Sequence, residues 1–147
     1  MIDFDKPKAN IHLISRGLLL QKDSIILCRM VGAKWYFLPG GHIENGETAK
    51  QALLRELEEE IKLADYKIGE FLGVCENTFE LSENVLQQEV NLVFAVEVPQ
   101  DLVVETKEGH IEFVLVPKSE LLEYKILPAE IKDGVIEWLN SAKVFHK

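Results

Sequence analysis

GGHIENGETAKQALLRELEEEIKL, residues 40–63, is the stretch from which the fold is read. Pro39, Gly40, Gly41 and Gly46 make a turn in which backbone groups can approach a ligand closely. The turn leads into apolar residues at helical spacing: Leu53, Leu54, Leu57 and Ile61, which form the expected inward face. Thr48, followed three positions later by Gln51, is a capping-box pattern, so the spacing predicts a helix from about Ala49. On that helix Glu56, Glu59 and Glu60 fall within roughly one third of the circumference, at about 100° per residue. Carboxylates so clustered raise each other's pKa unless a cation sits between them. Hard oxygen donors in this number suit Mg²⁺, or Mn²⁺. Ala49 and Ala52 share the acidic side, where small side chains are expected to leave room for metal and phosphate. Glu47 and Arg55 lie eight apart, close enough to bridge the junction of loop and helix, so Arg55 reads as a structural clamp. A run such as RELEEE is ordinarily a solvated helix face with i, i+4 support. The glycines before it, and the spacing of Glu47 and Arg55, argue for a built site.

These residues resemble the Nudix box, G-x5-E-x7-R-E-U-x-E-E-x-G-U with U apolar. Gly41, Glu47, Arg55, Glu56, Leu57, Glu59, Glu60 and Leu63 match in register. Lys62 stands where the pattern has its second glycine, which ends the helix in a left-handed conformation; lysine there is expected to cost about 1 kcal/mol. The resemblance is to Nudix hydrolases, in particular small single-domain MutT-like members. It implies an α/β fold, a three-layer α/β/α sandwich with a mixed central sheet. It also implies water-driven cleavage of a nucleoside diphosphate linked to another group, with Mg²⁺ or Mn²⁺. The metal ligands it implies are Glu56, Glu59, Glu60 and the Gly40 carbonyl. Glu56 or Glu59 is the expected general base, and the resemblance leaves a glutamate outside the box as competitor.

That outside glutamate is expected to be Glu112, which precedes the aromatic Phe113 and would reach the metal cluster. Its other reading is a rim carboxylate on an edge strand. Glu105 and Glu108 are alternatives in what reads as a mobile, charged loop. Gly41, His42 and Glu44 in the turn are candidate substrate contacts, although His42 is more readily read as an ordinary polar loop residue. Phe79, with one of Trp35, Tyr36 and Phe37, is a candidate for stacking on a base, and core packing is the other reading of these aromatics. His12, His110 and His146 show no metal-ligand spacing.

The chain has 147 residues, 47% apolar and 28% charged, as expected for one globular domain over residues 1–147. A net charge of −9 would repel a polyanion, so a cation is needed for nucleotide binding as well as for chemistry. The same acidity, without a basic patch, argues against nucleic-acid partners. No apolar run approaches the roughly 20 residues of a membrane span, and the first ten residues lack a signal-peptide layout, so a cytoplasmic location is expected. Cys28 and Cys75 read as reduced packing residues. A homodimer is left open.

Strands are expected over 11–20, 24–30, 66–77, 89–98 and 111–116, with a short segment at 35–38 and a polar hairpin or loop at 78–88. A helix is expected over 127–141, with Pro128 near its first turn and Leu127, Ile131, Val135 and Leu139 at i, i+4 spacing. The resemblance says less about substrate. Phe79 and Glu80 stand where ADP-ribose-cleaving and diadenosine-tetraphosphate-cleaving relatives tend to carry proline and tyrosine, and the coenzyme A signature is missing. Residues 128–130 lack the asparagine by which relatives recognise oxidised guanine. A nucleoside triphosphate or small nucleoside-diphosphate conjugate is the expected substrate. The competing reading is a nucleotide- or ADP-ribose-sensing protein that kept the fold without turnover.

Overall fold

The computed structural model describes residues 10–62, 65–82, 85–100 and 103–147; Leu63, the last residue of the box pattern, lies outside them. The described elements are β1 (Asn10–Gln21), β2 (Ser24–Met30), β3 (Gly40–His42), α1 (Ala49–Glu60), β4 (Lys67–Ser82), β5 (Val85–Glu97), β6 (Ile111–Pro117), α2 (Ala129–Ser141) and β7 (Phe145–His146). A 3-10 turn spans Lys118–Glu123. The strands form one mixed sheet in the order β6-β2-β1-β5-β4-β7, with β3 added to β1. The β1–β5 and β4–β7 pairs are parallel, and the remaining strand pairs are antiparallel.

Side chains alternate across a strand, so the longer strands feed two cores. Leu18, Ile25, Leu27, Leu72, Cys75 and Val93 pack with Ile131 and Val135 of α2. Leu19, Ile26, Phe94 and Val96 pack with Leu53, Leu57 and Ile61 at α1. The result is the expected three-layer α/β/α sandwich. Each fully buried leucine contributes about 1.5–3 kcal/mol of apolar burial.

Several local expectations change. Leu54, expected inside, is 43% exposed. Ala52, expected to leave open room beside the carboxylates, is fully buried, and Ala49 packs at the edge of the same core. Their small side chains bring the helix close to the sheet. In the polar stretch 78–88 the hairpin reading holds for the described residues, with Thr78 opposite Gln88, Phe79 opposite Gln87 and Glu80 opposite Leu86. Cys28 and Cys75 are buried free thiols, and burial pushes Cys75 up to about 12. Among the described residues no helix is long and apolar enough to cross a membrane.

Candidate active site

The start of α1 is fixed by its own sequence. The Thr48 hydroxyl accepts from the Gln51 amide at 3.2 Å, and the Gln51 side chain accepts from the Thr48 amide at 2.8 Å. Arg55 then ties helix to loop, donating to Glu47 at 2.6 and 3.1 Å and to the His42 carbonyl at 3.1 Å. It also donates to Glu56 at 2.9 Å and lies 3.7 Å from Glu59 and 3.8 Å from Glu44. Glu47, beside Arg55 and hydrogen-bonded by the Glu44 amide, is held below the usual carboxylate range. Arg55 is thus the clamp its spacing suggested, and Glu44 is one of its outer partners.

The two adjacent glycines of the turn have steric reasons. Gly40 has φ +142°, and a Cβ there would stand 2.0 Å from the Ser15 carbonyl oxygen on β1. A Cβ on Gly41 would stand 2.5 Å from the Glu56 carboxylate, so Gly41 makes space for that side chain. Glu60 accepts a hydrogen bond from the Gly40 backbone, yet its pKa is raised to about 7. Burial is the largest cause, followed by repulsion from Glu56 and from Glu108. Glu59 is 59% exposed, and among the described residues no hydrogen bond engages it. His42 is occupied sideways: its ring lies 2.9 Å from His12, which in turn lies 2.6 Å from Gln87.

Glu112 does not join this group. Ile25 and Leu27 face α2, so Arg29, two residues on, faces the same way. Glu112 lies opposite Arg29 on the edge strand β6 and forms an ion pair with it. The box carboxylates lie on the α1 side, so Glu112 fits its rim reading. The outside carboxylate felt by Glu60 is Glu108. Its segment is not a free loop: Lys62 donates its amide to Glu105, Lys107 to Glu60, and Ile61 bridges Thr106.

This pairing also explains Lys62. The cap residue Ile61 is extended (φ −110°, ψ 131°), and among the described residues Ala142 is the only non-glycine with positive φ. The helix leaves into strand-like pairing, so no left-handed glycine is required after it.

Sequence reasoning missed Arg16. It donates to Asn91 at 3.2 Å and to the Leu38 carbonyl at 3.0 Å, and burial lowers its pKa against the opposing pull of Glu89, Glu60 and Glu56. Arg16 therefore stands between the box carboxylates and a cavity of about 570 Å³ on the α2 side. Trp35, Phe37, Phe79, Leu127 and Pro128 wall that cavity, over polar residues of the sheet. Phe79 and two of the three candidate aromatics thus meet in one place, whereas Tyr36 packs against Tyr124. A lone arginine on β1 carries no motif; only the register of β1 with β5 brings it to Asn91.

Among the described residues no three carboxylate, histidine or cysteine side chains form a ready-made metal cage. The donor set nonetheless fits a divalent cation. Glu56, Glu60 and Glu108 offer hard oxygens, and Glu60 is disfavoured as an anion by burial and then by its two neighbours.

Known proteins agree with this architecture. Residues 7–139 match the NUDIX domain family. The chain is 34% identical over 73 residues to the RNA pyrophosphohydrolase of Marinomonas sp. (strain MWYL1), a match covering 50% of this chain and only 43% of that relative's length. It is 25% identical over 158 aligned positions to the uncharacterized Nudix hydrolase YvcI of Bacillus subtilis (strain 168), covering 81% of this chain and 96% of that one. The MutT protein from Methanosarcina mazei Go1 superposes with a TM-score of 0.72 at 23% identity, over 92% of this chain and 98% of that one. A UDP-X diphosphatase superposes with a TM-score of 0.67 at 20% identity, over 97% and 70% respectively. With the box residues running from the turn before α1 to its last residue, and the family match covering residues 7–139, the chain belongs to the NUDIX domain family.

Proposed function

We propose that the protein is a Mg²⁺-dependent pyrophosphohydrolase acting on a nucleoside triphosphate or a small nucleoside-diphosphate conjugate. The observation that carries this reading is the burial of Glu60 against Glu56 and Glu108, with Arg16 coupling that cluster electrostatically to a cavity walled by aromatic residues. Glu56, Glu60 and the Gly40 backbone would hold the cation, with Glu59 and Glu108 completing the set. Mn²⁺ fits the same oxygens. When bound, the cation supplies charge neutralisation and polarises the phosphorus centre.

The chain's own residues do the rest. Arg55 fixes the Glu56 carboxylate, and Gly41 leaves room for it. Arg16 offers positive charge between the cavity and the carboxylates, where a phosphate chain would pass. Glu59, free of hydrogen bonds among the described residues, takes the proton of the attacking water; Glu56 is the alternative base. Water oxygen bonds to phosphorus, the bridging P–O bond breaks, and two phosphate products leave.

The test is a panel of nucleotides and nucleotide conjugates, with and without Mg²⁺, scored for phosphate, pyrophosphate and monophosphate. Cation-dependent release supports the reading. Tight binding with no product from any compound supports a sensor.

A further inference from the structure

The floor of the aromatic cavity carries an ordered set of donors and acceptors. Arginine only donates, so Arg16 fixes Asn91 with its carbonyl oxygen toward the guanidinium. The Asn91 amide nitrogen then donates to the Asn77 carbonyl oxygen at 3.0 Å. That leaves the Asn77 amide nitrogen as a donor with no partner among the described residues. Directly opposite Asn77 on the neighbouring strand is Glu89, which also lines the cavity. Glu89 is half-buried, and among the described residues no hydrogen bond or ion pair engages its carboxylate. Side chains so paired across two strands have Cβ atoms about 5 Å apart. The cavity therefore presents one amide donor beside two acceptor oxygens, between aromatic walls.

We infer that Glu89 and Asn77 select a guanine base, an inference that rests on the nucleotide reading above. Guanine offers adjacent N1–H and 2-amino donors, which satisfy both carboxylate oxygens, and its O6 accepts from Asn77. Adenine and cytosine each offer one amino group on that edge and leave one carboxylate oxygen unpaired. Uracil offers a single N–H flanked by oxygens that face the carboxylate. An unsatisfied or repelled carboxylate in a partly desolvated site is where discrimination arises. Trp35, Phe37 and Phe79 add stacking that any base can use, so they contribute affinity without choosing.

Binding of GMP, IMP, AMP, UMP and CMP by titration calorimetry tests this, because monophosphates report the base without requiring turnover. GMP is expected to bind about tenfold or more tightly than AMP, UMP and CMP, as one bidentate pair allows. IMP, which lacks the 2-amino group, falls between GMP and the others. Glu89→Gln removes the preference; the buried Arg16 loses an attractive charge, so the melting temperature falls modestly while the variant stays folded. Equal affinities, no measurable binding, or a GMP preference that survives Glu89→Gln each overturn the inference. A GMP preference in a protein that hydrolyses no nucleotide would leave the base assignment standing and remove the catalytic reading instead.

Discussion

The two ends of the box helix treat their charges in opposite ways. At the start, Glu47 sits against Arg55, and its pKa is lowered by that contact. At the end, Glu60 is buried near Glu56 and Glu108, and its pKa is raised to about 7. Both ends are acidic in sequence, so composition does not separate them. The first end is finished within the chain. The second is electrostatically incomplete, a deficit that a proton or the proposed cation would relieve.

Glu60→Gln puts the largest strain on that contrast. Turnover is expected to fall on the order of 10²–10³-fold, the scale of losing one organised electrostatic group. The metal-free protein should gain stability at neutral pH, since the buried repulsion goes. Steady-state kinetics and thermal melting of the same preparation check both halves. A variant that loses activity and stability together would mean that Glu60 is a structural partner.

Arg55→Ala attacks the finished end. Without the guanidinium, Glu47, Glu56 and the His42 carbonyl lose a shared donor. Turnover is expected to drop about 10²-fold through misplacement of Glu56. The melting temperature should fall, the reverse of the expectation for Glu60→Gln. Arg55→Lys should recover little, because a point-charge ammonium cannot reproduce the forked contacts.

The pH dependence of the metal-free protein follows from the same contrast. A carboxylate raised from 4.5 to about 7 binds protons more tightly in the folded state, so its contribution favours folding at acid pH and is lost as pH rises through that window. Melting should therefore move down between about pH 5.5 and pH 8, by on the order of 1–2 kcal/mol once solvent screening is allowed for. Glu47 acts with the opposite sign: its contribution is present above 4.5 and disappears as pH falls below it. Added Mg²⁺ should recover stability mainly at the alkaline end. A Glu60→Gln protein with the same pH slope would refute the assignment.

What is legible in the sequence follows the range of the interaction. The capping box, the Arg55 clamp and the inward Leu53 and Leu57 are set within one helix and its preceding turn, and all can be read from spacing. Arg16, Asn91, Asn77 and Glu89 come from three strands, and only register unites them. The arm around Thr78–Gln88 leaves hairpin and loop both open in the sequence, because its described strands are largely solvent-facing and carry polar residues on both sides. Lys62 misleads for a related reason: its expected strain assumes a local helix stop, whereas the chain pairs with a distant segment. Lys62→Gly should accordingly cost roughly 0.5–1 kcal/mol through backbone freedom, with no gain from relieved strain. Urea unfolding of the two proteins measures it.

Glu112→Gln should have the smallest effect, and its smallness is informative. The carboxylate lies on the α2 side of β6, in a pair with Arg29, while the box glutamates lie on the other side of the sheet. Bringing Glu112 onto the α1 side by slipping β6 one residue would break its pair with Arg29. Such a slip would drive Val114 and Val116 out of the α2 core, where both now pack. Activity and Mg²⁺ affinity of Glu112→Gln should stay within about twofold of the wild type, since paired charges at an exposed rim contribute little. Glu108→Gln, which acts on Glu60 directly, should weaken Mg²⁺ binding in the same titration. If the two variants exchange these behaviours, the box helix recruits its outside carboxylate from the edge strand, and β6 pairs with β2 in a different register.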